Sequence, residues 1–396
     1  MRQLHLQAGL LAGLILATST ARAQPTDALE AMLGRASVRA FDPARAVTDG
    51  ELRQIMDAGY RTQTLDGSRP FEFIQIRDPK TLQAIGQSGK HAGWMARAPA
   101  AIAIVVRTPE SRRFYRENGS IAMLNMTYKA QQLGLGTCFL GTRNNRRMKA
   151  ALGIGDKRHL LTVIPIGAPE SRPKSPKRYP VEWTVSEGRY GAPLKTALPE
   201  PEAKATAPMA SFLDGSHTVV ERFDAARPVE PAKLATALEA MRHAPSSKNK
   251  QHWRWVLVSD STTKQRIAGV AGDRTLAGAP VVAVLAGSQD SRPFVNPRGW
   301  GRRRTSPTFI NHGAAMALRN LQIGLESQGL GTRVRGLGRR ADQRLRTLLA
   351  RPGERLSGKR VHFIAAVGLG YGQRVNEQSV EPIPGSRIHR ERYGQR

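Results

Sequence analysis

FDPARAV at residues 41–47 and FDAARPV at residues 223–229 are two copies of one heptapeptide, set 182 positions apart in a chain of 396 residues. Without a gap, the same offset places Leu52 on Leu234, Ala58 on Ala240 and Asp78 on Asp260. Farther on, Ala98-Pro99 with the apolar run AAIAIVV matches Ala279-Pro280 with VVAVLA. Asn125 and the turn Gly134-Leu135-Gly136-Thr137 match Asn320 and Gly329-Leu330-Gly331-Thr332, and Gly167 after TVIPI matches Gly368 after FIAAV. Blocks repeated in one order mark a tandem duplication, which decides the architecture before any single element is assigned.

Each half reads alike. Helices are expected from Asp49 to Tyr60 and from Glu230 to Arg242, each followed by a strand of aromatic and β-branched residues, Phe71 to Ile76 and Trp253 to Val258. A second strand follows each Ala-Pro. A long helix, about Ser120 to Gln132 or Ala314 to Gln328, then ends at a glycine able to take the positive φ of a helix C-cap. A last strand closes each half. Helices and strands mix without a regular βαβ rhythm, so the fold class is α+β, with the halves packed as a pseudo-dimer in one chain. The boundary falls in PEPEAKATAP, residues 199–208, a run of linker composition, giving halves at 24–198 and 209–396.

Residues 1–23 read as a Sec-type signal peptide: a short basic start, the apolar run AGLLAGLILA at 8–17, and Ala21-Arg22-Ala23 ahead of Gln24. That run is shorter than the roughly 20 residues a membrane span needs, so a periplasmic or secreted protein without a transmembrane segment is expected. The chain carries 61 Lys+Arg against 31 Asp+Glu, a formal charge of +30. These charges are scattered, and Arg302-Arg303-Arg304 lacks interleaved aromatics, so no specific nucleic-acid partner is expected. Cys138 stands alone, which excludes an internal disulfide framework and any CxxC site; it is read as a core residue, and no metal centre is expected. Gly368-x-Gly370-x-Gly372 is read as a turn, since no helix pattern follows it.

Two further stretches carry chemistry. Arg35-x-Ser37-x-Arg39 precedes the first FD turn, and Ala244-Pro245-Ser246-Ser247-x-Asn249-x-Gln251-x-Trp253 lies between a helix and a strand of the second half. With Gly134-Leu135-Gly136-Thr137-Cys138, Ala98-Pro99, Ile166-Gly167-x-Pro169 and the basic pair Lys177-Arg178, they resemble the nitroreductase family of FMN-dependent oxidoreductases. The resemblance covers nearly the whole chain after residue 23, twice, and departs at His252, where the family usually has proline. It implies a nitroreductase-like fold in two tandem repeats. FMN would have its phosphate held by Arg35, Ser37, Arg39, Lys177 and Arg178, since guanidinium groups offer paired donors to a dianion. Pro245, Ser246, Ser247 and Asn249 would face the ring, and Leu140 and Gly141 its edge.

The repeat adds an asymmetry. Arg35, Ser37 and Arg39 fall on His217, Val219 and Glu221, while Pro245, Ser246, Ser247 and Asn249 fall on Gln63, Thr64, Leu65 and Gly67. Each half has kept one motif and lost the other. In the family the two motifs come from different subunits, so one composite site per chain is expected, with a second, degenerate site left empty. The resemblance implies transfer of hydride or electrons through FMN from a donor, NAD(P)H being one candidate, to a small nitroaromatic or quinone-like acceptor. No general acid or base is demanded, so no catalytic side chain is named. The alternative is a flavin-binding or flavin-sequestering protein with little reductase activity.

Overall fold

The computed structural model describes residues 27–89, 92–107, 113–142, 145–171, 175–201, 207–215, 217–289, 305–377 and 380–396. The signal segment, Arg302-Arg303-Arg304 and residues 202–206 of the linker lie outside them. The first half runs α1 (Ala28–Gly34), α2 (Asp49–Tyr60), β1 (Phe71–Ile76), α3 (Pro79–Gln87), β2 (Ala100–Val106) and α4 (Tyr115–Gln132). It continues through β3 (Gly136–Thr137), β4 (Leu140–Gly141), α5 (Arg146–Ala151), β5 (His159–Gly167) and β6 (Val185–Glu187). The second half runs β7 (His217–Phe223), α6 (Pro231–Arg242), β8 (Trp253–Val258), α7 (Ser261–Ala271), β9 (Val281–Ser288) and α8 (Pro307–Glu326). It ends with β10 (Gly331–Gly336), α9 (Arg339–Leu348), β11 (Val361–Gly370), β12 (Gly372–Glu377) and β13 (Ile388–Arg390).

Local chemistry accounts for the elements. At α2, the Thr48 side chain caps the Glu51 amide and the Glu51 carboxylate returns to Thr48, a reciprocal capping box. Leu52, Ile55 and Met56 then fall on one face and are fully buried, each contributing about 1.5–3 kcal/mol. β1 and β2 are buried along their whole length because their sheet is covered on both faces.

The duplication is legible in the hydrogen bonds. Asn125 Nδ2 donates to Ala58 O (3.5 Å) and Asn320 Nδ2 to Ala240 O (2.8 Å). Asp78 caps α3 through the Thr81 amide (2.9 Å) as Asp260 caps α7 through that of Thr263 (2.8 Å). Gly134 and Gly329 both take the left-handed φ (73° and 77°) expected after the long helices. The sheets agree as well: β1-β2-β5-β3 in one half corresponds to β8-β9-β11-β10 in the other.

Two strands cross over. β6, from the end of the first half, pairs in parallel with β8 of the second sheet, and β13, from the end of the second half, pairs in parallel with β1 of the first. Between the sheets α4 and α8 pack together; α4 is buried all round from Glu117 to Tyr128, and α8 from His312 to Leu325. One continuous core therefore serves both halves. Tyr128 Oη donates to Asn320 Oδ1 at 2.5 Å and Arg319 Nε to Asn125 Oδ1 at 3.3 Å, so each repeated asparagine also receives a donor from the opposite helix.

Two expectations are corrected. Both long helices begin earlier than expected, at Tyr115 and Pro307, because the interface buries polar residues that break the apolar period. Gly368 and Gly370 lie in β11 and Gly372 opens β12, so that stretch is strand and not turn apart from Tyr371.

Candidate functional site

After α1 the chain runs extended along β3, where Val38 N donates to Thr137 O at 2.9 Å. This approach needs Gly136, since a Cβ there would stand 2.4 Å from Val38 Cγ2. Strict alternation would put Arg35, Ser37 and Arg39 on one face, so the different burial of the two arginines comes from their surroundings. Arg35 is only 5% exposed; Arg39 is exposed, with its guanidinium 5.8 Å from the Trp94 ring centroid. Ser37 hydrogen-bonds the Cys138 thiol. Burial pushes that thiol up, with Arg39 partly opposing, so Cys138 is an unreactive part of the floor.

The second half contributes the turn after α6. Lys248, Asn249 and Gln251 all have left-handed φ (54°, 54° and 49°), a conformation costing roughly 1–2 kcal/mol per non-glycine residue. Strain of this kind persists where surrounding contacts over-determine it. Ser246 Oγ accepts from Gln251 N at 2.9 Å. From the other half, Arg178 donates Nη1 to Asn249 Oδ1 (2.8 Å) and Ala244 O (3.2 Å), and Nη2 to His243 O (2.9 Å). Asn249 Nδ2 donates to Lys177 O at 2.6 Å. The basic pair and the Pro-Ser-Ser turn, distant in sequence and in different halves, are thus one unit. Sequence reasoning assigned Asn249 to the ring; both ends of its side-chain amide are engaged with Lys177 and Arg178.

Arg35 lies within electrostatic reach of this unit. Its charge acts on Arg178, and burial followed by Arg35 brings the Arg178 guanidinium down to about 9. Burial also lowers Arg35, whose favourable charge partners are the weakly acidic Tyr128 and Cys138. Arg242 acts on Arg178 as well, but is itself paired with Glu239. The Nε atoms of both Arg35 and Arg178 are buried without a hydrogen-bond partner. A buried and a half-buried guanidinium group, each with an unused buried Nε donor, fit a dianionic phosphate.

Leu140 and Gly141 form β4, an edge segment paired with Val163 and Thr162 of β5. The Phe309 ring of α8 lies on Gly141, where a Cβ would come within 2.6 Å of it. One turn later Gly313 admits Ser246, whose Cβ would be 3.3 Å from a Cβ at Gly313. The start of α8 therefore walls the space between the Ser246 turn and β4. The sequence pattern marks this helix only from about Ala314, so nothing in it singles out Phe309.

The equivalent place in the other half is built differently. The segment answering Arg35–Arg39 is β7, closed by antiparallel pairing with β12. Val219 is buried and Glu221 exposed. The turn answering Pro245–Asn249 is held by Asn118, whose Oδ1 accepts from Leu65 N (2.9 Å) while Nδ2 donates to Asp66 (2.8 Å). Among the described residues no group of His, Cys, Asp or Glu is arranged to hold a metal ion, and no helix is long and apolar enough to cross a membrane.

Comparison with known proteins gives these features a context. The model of the Nitroreductase family matches residues 86–168 and, separately, 217–289, once in each half. A curated protein of Archaeoglobus fulgidus, provisionally named an NADH dehydrogenase/NAD(P)H nitroreductase, is 26% identical over 152 residues, 36% of this chain and 86% of that protein. A Methanothermobacter thermautotrophicus protein of the same name is 27% identical over 153 residues, 37% of this chain and 80% of that one. Among solved structures, an FMN-dependent nitroreductase of Clostridium difficile is 25% identical, covering 37% of this chain and 91% of its own, with a TM-score of 0.35. The chain has a nitroreductase-like α+β fold, present twice.

Proposed function

We propose that this chain is an exported FMN-dependent oxidoreductase of nitroreductase type, with one composite cofactor site per chain. The observation that carries the reading is the pair of like-charged guanidinium groups, buried Arg35 and half-buried Arg178, whose Nε atoms are buried without a partner beside the strained turn of the other half. Arg35, Ser37, Arg39, Lys177 and Arg178 would hold the FMN phosphate. The turn from Pro245 to Asn249 and β4 at Leu140 and Gly141 would bound its ring. When bound, FMN supplies the hydride or electron transfer, and the chain supplies orientation, charge and exclusion of water. No side chain is assigned a proton-transfer step. NAD(P)H is the proposed donor, from the names of the relatives, and a small nitroaromatic or quinone the proposed acceptor. The linked halves act as a monomeric pseudo-dimer, and export rests on residues 1–23.

Phe309 on Gly141 favours a second reading, in which the chain binds flavin but admits substrates poorly. One titration distinguishes them. The purified chain is expected to carry the flavin absorption band, to bleach with NADH or NADPH, and to recover with a nitroaromatic or quinone. Bleaching by dithionite alone would favour flavin sequestration, and failure of the chain to bind FMN would overturn both readings.

A further inference from the structure

The N-terminal turns of the two central helices correspond residue for residue. Phe114 lies on Gly336 as Phe309 lies on Gly141, and the offset of 195 that relates these pairs also relates Asn125 to Asn320. By that offset Arg116 answers Asn311 and Glu117 answers His312. His159, which faces Val106 across the β2–β5 pairing, answers His362, which faces Gly287 across β9–β11.

Beside the degenerate site these positions close on themselves. Asn311 Nδ2 donates to Glu117 Oε1 at 2.5 Å, and Asn311 Oδ1 lies 2.6 Å from His362 Nε2. Acid, amide and imidazole satisfy one another. Beside the composite site the same three positions hold Arg116, His312 and His159, all basic. His312 is 8% exposed with its Nε2 buried and unpartnered, and Arg116 Nε is likewise buried without a partner. Arg116 lies 4.5 Å from the Tyr115 ring centroid, and that ring meets His159 edge-on at 5.1 Å. His312 is 6.1 Å from Phe309, the ring on Gly141. The charged groups that face His312 are Arg116 and His159, and those that face His159 are Arg116 and Lys149; among the described residues no carboxylate acts on either imidazole, while Arg116 also feels the buried Glu117, whose carboxyl is taken by Asn311. Lys149 is 3.9 Å from Asp156, a fully exposed partner.

Resting on the flavin reading above, we propose that Arg116, His159 and His312 form an oxyanion-recognition site beside Gly141, and that the redox substrate of the composite site docks on them through an anionic group. A guanidinium with a neighbouring imidazole offers a carboxylate several converging donors. Phosphate would use the same donors.

The test is equilibrium dialysis of the purified full chain against 4-nitrobenzoate and its neutral isostere 4-nitrobenzamide, with inorganic phosphate as competitor and flavin content read on each sample. The carboxylate is expected to bind about tenfold tighter than the amide. Displacement by millimolar phosphate would identify the site as a general oxyanion site, and resistance to it as one fitted to carboxylate. Arg116→Gln and His312→Gln should each bring the ratio to within about twofold of unity while keeping flavin and melting temperature, and Arg116→Lys should restore part of the preference. Equal binding of the two probes by the parent chain, or a preference that survives the Arg116→Gln, His312→Gln double variant, overturns the proposal. Failure of the chain to take up FMN would instead overturn the cofactor reading and leave the probe comparison legible, since none of the three residues is assigned to the cofactor.

Discussion

Arg178, from the end of the first half and within electrostatic reach of Arg35, binds the Ser246–Asn249 turn of the second, and the Nε atoms of both arginines are buried and unpartnered. Like charges held this close oppose folding unless an anion lies between them. Arg35→Gln and Arg178→Gln are each expected to weaken FMN binding about tenfold to hundredfold, the range of roughly 1.5–3 kcal/mol for a hydrogen bond to a charged group. The same variants should raise the melting temperature of the flavin-free chain. Melting curves with and without FMN give both readings, and a loss of stability in both conditions would contradict the electrostatic account.

Asn249 is expected to act through Arg178. Asn249→Gly retains the left-handed backbone and removes the contacts to Lys177 O and Arg178, so it should lose FMN affinity about as much as Asn249→Ala. Flavin retained in Asn249→Gly but lost in Asn249→Ala would assign the role to the backbone alone. Fluorescence titration with FMN decides between them.

Glu221 lies on β7, whose pairing with β12 closes the second site. Glu221→Ala is therefore expected to leave the stoichiometry at one FMN per chain, and Glu221→Arg should not create a second site. A flavin-to-protein ratio approaching two in either variant would show that charge, and not strand pairing, closes it.

Burial, then Arg116 and His159, holds His312 down to about 3; burial, then Arg116 and Lys149, holds His159 down to about 4. Both ordinarily titrate near 6.5, so between that pH and the depressed values the unfolded chain binds protons that the folded chain refuses. Stability must then fall as pH falls from about 6.5 toward 4 and below. His312→Gln should flatten that slope. Urea midpoints measured across this range check it, and an unchanged slope would mean that His312 is protonated in the folded state.

How much of this was legible in the chain depends on range. The FD heptapeptides, the capping Asp78 and Asp260 and the Gly134 and Gly329 turns are local signals, and they gave the halves, the strands at Phe71–Ile76 and Trp253–Val258 and the α2 boundaries as observed. The loss of the Arg35 and Arg39 equivalents at His217 and Glu221 marks which half has changed. Distance hid the rest. Nothing near Arg178 announces that it binds a turn some seventy residues later, and Asn249 cannot declare from its neighbours that its amide is taken. Phe309 and His312 sit in a stretch whose polar residues break helical periodicity, because another helix and not solvent covers them.

The pairing of Ile388–Arg390 with Phe73–Gln75 has a consequence for the order of events during synthesis. A strand that completes the first sheet is made some 315 positions after the strand it joins. The first half cannot be finished while the second is still emerging, and such long-range closure slows folding. Arg35 is thus among the first parts made and belongs to a unit among the last to be sealed. Damage to the final arm should reach the proposed cofactor site without touching any residue in it.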